Sequence, residues 1–405
     1  MKQKIKPSVL HAVLLGTLCS VSYLAVYLAR NVLSAVTPQI LESGAFTTER
    51  IGELSSVYFI TYAFGQLING AIGDRIKAKY MLSIGLAMAG VCNVLFSLLS
   101  QYPFATYLSY AMTGFFLAMI YGPMTKLVAE NTEPIYATRC SLGYTFASFF
   151  GSPLAGVLAV GMSWQGVFLV SSIGLVLMAT VCFVLLHQFE KRGIVKYGQY
   201  KPPAKRSGSL KVLIQHRIVK FTLISILTGV VRTTVVFWLP TYLAQYLGFS
   251  SETSALLFTI ATLVISSSAF LAVFTYERLG RNMDLTILLA FSLSTISFLL
   301  VYLLKAPVPN IVFMVLGILS SNCAASMLWS RYCPSLRDTG MVSGATGFLD
   351  FVSYMAASIS STLFAQATGT IGWKGLILTW LILMLCGVIV SLPYRKFKRD
   401  DLPVK

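Results

Sequence analysis

The chain has 405 residues, carries 31 Lys+Arg against 14 Asp+Glu for a formal net charge of +17, and is 56% hydrophobic with only 11% charged residues. An average soluble domain carries about 25% charged residues, and no core of soluble-domain size hides this much apolar surface. An ordinary cytosolic enzyme and a disordered chain are both excluded, leaving an all-α integral membrane protein.

In chain order, Lys2, Lys4 and Lys6 precede an apolar stretch that runs past Tyr23 and Tyr27 with no small-residue cleavage site, so it reads as an uncleaved first span. Stretches near the 20 residues needed to cross a bilayer then recur. The predicted spans are 10–37, 51–73, 81–100, 104–128, 139–161, 165–187, 218–247, 253–275, 285–304, 310–332, 341–366 and 374–393. The seven cysteines stand singly without ligand spacing, so no disulfide framework or metal site is expected, and no cofactor.

Lys and Arg crowd the loops on the N-terminal side: Arg75, Lys77, Lys79, Lys126, Arg139, the 188–217 connector and the C-terminal tail. Arg50, Lys305 and Lys374 alone fall opposite. The positive-inside rule places both termini in the cytoplasm and the protein in the plasma or inner membrane. Basic residues scattered between apolar runs do not form a nucleic-acid face. The connector reads as a basic tether near anionic headgroups, dividing 1–187 from 218–405.

The two parts repeat one another. Arg30 and Pro38 match Arg232 and Pro240; Phe46-Thr47-Thr48-Glu49 matches Phe249-Ser250-Ser251-Glu252; Asp74-Arg75 matches Glu277-Arg278. Two pseudo-symmetric six-helix halves of one orientation are a transporter signature, with the site between them.

Once loop and tail positions are removed, only Arg30, Arg232 and Asp350 remain ionisable well inside spans. Arg30 lies about 12 Å from Pro38 along a helix, and Asp350 about 15 Å from Gly340, both near mid-membrane. Charges at that depth need a water-filled cavity or a partner and mark functional sites. Two guanidinium forks from opposite halves suit a dianionic tetrahedral group. Asp350 is either their partner, a proton carrier, or both. Gly16, Ser20, Tyr23, Tyr27, Arg30 and Ser34 form one polar stripe; Ser225, Thr228, Gly229 and Arg232 form another. Asp350 continues with Thr346, Tyr354 and Ser361, and Tyr121 shares a face with Thr125. Such stripes without a charge are ordinarily helix–helix glue. Walker A, GxSxG, HExxH and dinucleotide motifs are absent, so no enzyme is expected.

Gly70-Ala-Ile-Gly-Asp74-Arg75-Ile-Lys77-Ala-Lys79 resembles the signature between the second and third helices of the major facilitator superfamily, and Glu277-Arg278-Leu-Gly-Arg281 resembles its second copy. The resemblance implies that Asp74, Arg75, Lys79, Glu277 and Arg278 belong to a conformational gate. Within that superfamily, Tyr23-x-x-x-Tyr27-x-x-Arg30-Asn31, Arg232 with Trp238-Leu-Pro240-Thr241-Tyr242-Leu243, and Gly344-Ala-Thr-Gly347-Phe348 with Tyr354 resemble the organophosphate:phosphate antiporters. That resemblance implies a phosphate-binding pair, Arg30 and Arg232, in a pocket lined by Tyr23 and Tyr27, with Tyr121 and Tyr354 on adjoining faces. The chain departs from the pattern at Gln66 (commonly Lys), at Ala147–Ser148 (where a His falls) and at Asp350 (usually Gly). The expectation is a monomeric alternating-access carrier exchanging a phosphorylated metabolite for phosphate. A proton-coupled carboxylate or sugar-acid symporter and a membrane anion sensor stay open.

Overall fold

The computed structural model describes residues 7–73, 76–197, 214–336 and 342–392, and among them the regular elements are all helices. They are α1 (Pro7–Glu42), α2 (Thr48–Gly73), α3 (Ala78–Leu98), α4 (Pro103–Asn131), α5 (Pro134–Ser148 continuing as Gly151–Gly161) and α6 (Trp164–Lys191). The second half comprises α7 (Ile218–Gln245), α8 (Ser251–Arg278), α9 (Met283–Leu303), α10 (Pro307–Tyr332), α11 (Val342–Thr370) and α12 (Gly372–Ser391).

Their starts follow local chemistry. Ser163, Ser250 and Asn282 cap α6, α8 and α9 by accepting from Gly166, Thr253 and Leu285 amides, and Pro103, Pro134 and Pro307 open α4, α5 and α10. Gly44 after α1 and Gly248 after α7 hold φ of 67° and 76°, the left-handed turn that glycine allows, at corresponding places in the repeat.

Eleven of the helices are long and apolar enough to cross a membrane. The exception is α2, which has the length, 26 residues, but carries Ser55, Ser56, Thr61, Gln66 and Asn69. Its polar faces pack against α11 and α4 rather than lipid. Helix α1 runs on through Pro38 to Glu42, and α6 extends into the connector as far as Lys191.

Within each half, small residues allow close approach, the usual basis of helix association in lipid. Gly90 lies against Val176 and the Ser172 carbonyl, and Asn93 Nδ2 donates to Ser171 at 2.8 Å. Between halves, α2 meets α11, α5 meets α8 and α1 meets α7. Hydrogen bonds joining them crowd the face opposite Pro7 and Ser391. Ser34 donates to the Phe237 carbonyl at 2.7 Å, Ser361 to Ser55 at 2.8 Å, and Ser251 to Glu42 at 2.5 Å. Ser56 bonds the Ser358 carbonyl, and Thr259 bonds the Pro153 carbonyl at 3.4 Å. Gly52 and Gly156 abut Ala365 and Thr259 there. Toward the terminal face, Phe64, Phe146, Phe270 and Phe348 are exposed instead. Among the described residues most hydrogen bonds between the halves lie on that side, while toward the terminal face Phe64 meets Phe351 at 5.4 Å and Ser266 donates to the Phe149 carbonyl at 3.2 Å.

Candidate functional site

Arg30 lies within α1, Asp350 within α11 and Arg232 within α7, each inside a helix rather than in a connecting segment. All three are partly accessible, so a space reachable by solvent separates the halves. Arg30 reaches across it. Its Nη1 donates to the Tyr354 hydroxyl at 2.7 Å, and its guanidinium carbon lies 4.9, 5.1 and 5.4 Å from the ring centroids of Tyr354, Tyr62 and Tyr27. Three electron-rich rings thus hold one cation from α1, α2 and α11.

Arg232 is positioned differently, on a π-helical turn, Val230–Val235, inside α7. Its guanidinium carbon lies 6.0 Å from the ring of Trp329, itself on a second π-helical turn, Leu328–Tyr332 of α10. Among the described residues Arg232 has no hydrogen bond or ion pair. Such turns recur at functional sites because the widened backbone redirects a side chain.

Asp350 is within electrostatic reach of Arg232 and Arg30, and of Tyr121 and Tyr354. It forms no ion pair within 4 Å and no hydrogen bond among the described residues, so pairing with an arginine as structural glue is not what the structure shows. Arg30 is committed to tyrosines instead.

Tyr23, Tyr27 and Tyr121 do meet. Tyr23 lies 4.9 Å from Tyr27 and 5.5 Å from Tyr121, with Tyr144 of α5 6.2 Å from Tyr121. Tyr121 remains 39% exposed. Thr125 turns back to the Gly122 carbonyl at 2.7 Å. Other stripe members are packing groups: Gly16 faces Cys140, Ser225 donates to the Leu349 carbonyl, and Gly229 abuts Ser353. Ser148 turns to the Thr145 carbonyl, and Gln66 is half-buried.

Of the gate residues, Asp74 and Arg75 lie outside the described residues. Lys79 is buried and pairs with Glu190, which Lys77 also meets at 2.6 Å, all within the first half. That contact raises the Lys77 ammonium above its ordinary pKa. Glu277 and Arg278 are exposed, with Arg278 over the Phe274 ring. The described gate residues therefore do not join the halves on this side. No group of three or more His, Cys, Asp or Glu suited to a metal occurs among the described residues.

Sequence reasoning missed Tyr62, Tyr144 and Trp329. Tyr58 and Tyr62 repeat in α2 the four-residue spacing of Tyr23 and Tyr27, which was the available signal.

The profile of the Major Facilitator Superfamily matches residues 19–359. The membrane sensor protein UhpC of Escherichia coli strain K12 is 22% identical, over 92% of this chain and 89% of its own. The glycerol-3-phosphate transporter of Bacillus subtilis strain 168 is 25% identical over 58% of each chain. In fold, the chain resembles a bacterial homologue of the human lysosomal transporter Spinster in its inward-facing, unoccupied conformation. That similarity has a TM-score of 0.77 at 12% identity, over 96% of this chain and 97% of that one.

Proposed function

This chain belongs to the major facilitator superfamily, and we propose that it is a secondary active carrier of a small organic anion, a phosphorylated metabolite exchanged for inorganic phosphate. The observation that carries the reading is the pair of partly accessible guanidinium groups inside apolar helices, one from each half, with Arg232 left without a hydrogen-bonding partner among the described residues. Arg30 and Arg232 bind the anionic group through paired N–H donors. Tyr23, Tyr27, Tyr121 and Tyr354 line the pocket, and Tyr62 holds Arg30 in place. The name of the Bacillus subtilis relative supports a phosphate ester as cargo.

The mechanism is alternating access. In this reading the terminal face is cytoplasmic, and the concentration of cross-half hydrogen bonds on the opposite face supports a state that opens toward the cytoplasm. An anion bridging the two arginines draws the halves together, after which Gly52, Gly156 and their partners separate on the other side. Asp74, Arg75, Lys79, Glu277 and Arg278 form the cytoplasmic gate. An empty site with unpaired arginines desolvates at high cost, which favours exchange over empty return. Asp350 lowers that cost, because two guanidiniums and one carboxylate leave a formal charge of +1, and a proton on it couples uptake to pH. One copy of the chain contains the whole site, so the carrier works as a monomer in the bilayer.

The UhpC relative favours a second reading, a sensor that binds the anion without moving it. Asp350 favours a third, a proton-coupled carboxylate symporter. Proteoliposomes preloaded with phosphate separate them. Rapid uptake of labelled phosphate supports the exchanger. Binding without flux supports the sensor, and carboxylate uptake driven by a pH gradient supports the symporter.

A further inference from the structure

The unpaired carboxylate is the feature that anion binding alone does not use. A carboxylate at membrane depth is costly, and one that served as glue would hold an arginine within ion-pair distance. Asp350 does not, while Arg30 is occupied by Tyr354 and three rings. Toward a bare dianion it is repulsive. The tyrosine cluster beside Arg30 adds an aromatic wall: Tyr121 lies 5.5 Å from Tyr23, which lies 4.9 Å from Tyr27, and Tyr121 remains 39% exposed. A partly accessible carboxylate with no ion-pair partner among the described residues, one helical turn before the Tyr354 that holds Arg30, is the chemistry that takes an ammonium group.

Charge arithmetic points the same way. Two guanidiniums and one carboxylate give +1. A phosphate monoester dianion brings the loaded site to −1, whereas the same ester carrying one ammonium brings it to zero. A neutral complex is the least costly to enclose while the halves rock, since an uncompensated buried charge is penalised.

We propose that the pocket is built for a zwitterion, an organophosphate bearing an ammonium group, with its phosphate on Arg30 and Arg232 and its ammonium on Asp350. The ligand then bridges the halves at its anionic end and neutralises Asp350 at its cationic one. A substrate ammonium occupies the place a proton otherwise takes on Asp350. The inference rests on the organophosphate reading of the arginines.

The test compares phosphoethanolamine with 2-hydroxyethyl phosphate, which differ in ammonium against hydroxyl, as inhibitors of labelled-phosphate exchange in proteoliposomes. In the unaltered protein, phosphoethanolamine is expected to half-inhibit at a concentration about tenfold lower, the value of one charge-assisted contact. In Asp350→Asn the ratio of the two half-inhibiting concentrations falls to about one, read by displacement of bound labelled phosphate so that the comparison does not depend on the variant's transport rate. Equal or better inhibition by the hydroxyl compound in the unaltered protein overturns the inference alone, as does an unchanged ratio in Asp350→Asn. Absence of phosphate exchange, with neither ester bound, overturns the organophosphate reading and the inference with it.

Discussion

Wedging the closed face should change which side of the carrier is open. A Cβ at Gly156 would collide with Thr259 and stand 2.9 Å from the Ala255 carbonyl, both on α8. A Cβ at Gly52 would meet Ala365 and stand 3.0 Å from the Ser361 carbonyl, both on α11. The nearest atoms to each added Cβ all belong to the opposite half. Overpacking of this kind costs about 1–3 kcal/mol, which shifts a two-state equilibrium about 5–150-fold. The two sites share no partner, so Gly52→Leu with Gly156→Leu should add to about 2–6 kcal/mol. About 5.5 kcal/mol suffices to invert a 99:1 preference. Spin labels on Ser43→Cys and Glu252→Cys, both exposed and next to the Ser251–Glu42 bond, read the opening by pulsed dipolar spectroscopy in a background lacking the native cysteines. The unwedged protein should give one short distance, each single variant a minor longer population, and the double variant a larger one that becomes the major population from about 3 kcal/mol upward, starting from 99:1. Gly174→Leu, where nothing lies within 4 Å of an added Cβ, should change nothing. An unchanged distance distribution in a folded double variant refutes the placement of the closed gate.

Two further substitutions test the site and its scaffold. Tyr354→Phe keeps the ring beneath Arg30 but removes the hydroxyl that accepts from it at 2.7 Å. Phosphate binding should weaken about 2–13-fold, for a bond worth about 0.5–1.5 kcal/mol, with little change in thermal stability; calorimetric titration and melting in detergent check both. Asn310 is fully buried, donates to the Val301 and Leu304 carbonyls at 3.0 and 2.9 Å, and accepts from Tyr242. Asn310→Ala should destabilise by about 1–3 kcal/mol, seen as a lower melting temperature with unaltered phosphate affinity in the surviving folded protein.

Much of this architecture is written as hydropathy. Long apolar runs fix span positions to within a few residues, because lipid demands them whatever the partner helix. The second span is the instructive exception, since Ser55, Ser56 and Gln66 lower its apolarity for contacts the local sequence does not announce. Arg30, Arg232 and Asp350 were legible by elimination, as membrane depth makes any charge conspicuous. Their pairing was not. Helical spacing gives depth and face, but whether Arg30 meets Asp350 or Tyr354 depends on how α1, α2 and α11 rotate against one another. Tyr62 was hidden for the same reason, as a tyrosine in an apolar helix reads equally as core. The π-helical turn under Arg232 has no sequence marker, and its α1 counterpart is regular helix despite the matching Arg-to-Pro spacing. Which face is closed is set by cross-half contacts such as Gly156 against Thr259, invisible to any local pattern.

The central claim is that Arg30 and Arg232, from opposite halves, hold one anion together. Equilibrium binding of inorganic phosphate to the purified protein, Arg30→Lys, Arg232→Lys and the double variant addresses it directly. Lysine keeps the charge and removes the fork. Each single substitution should weaken binding about tenfold or more, for one charge-assisted bond lost, and the double variant should depart from additivity because both residues grip the same group. Affinity within about twofold of the unaltered protein in either single variant would contradict the claim.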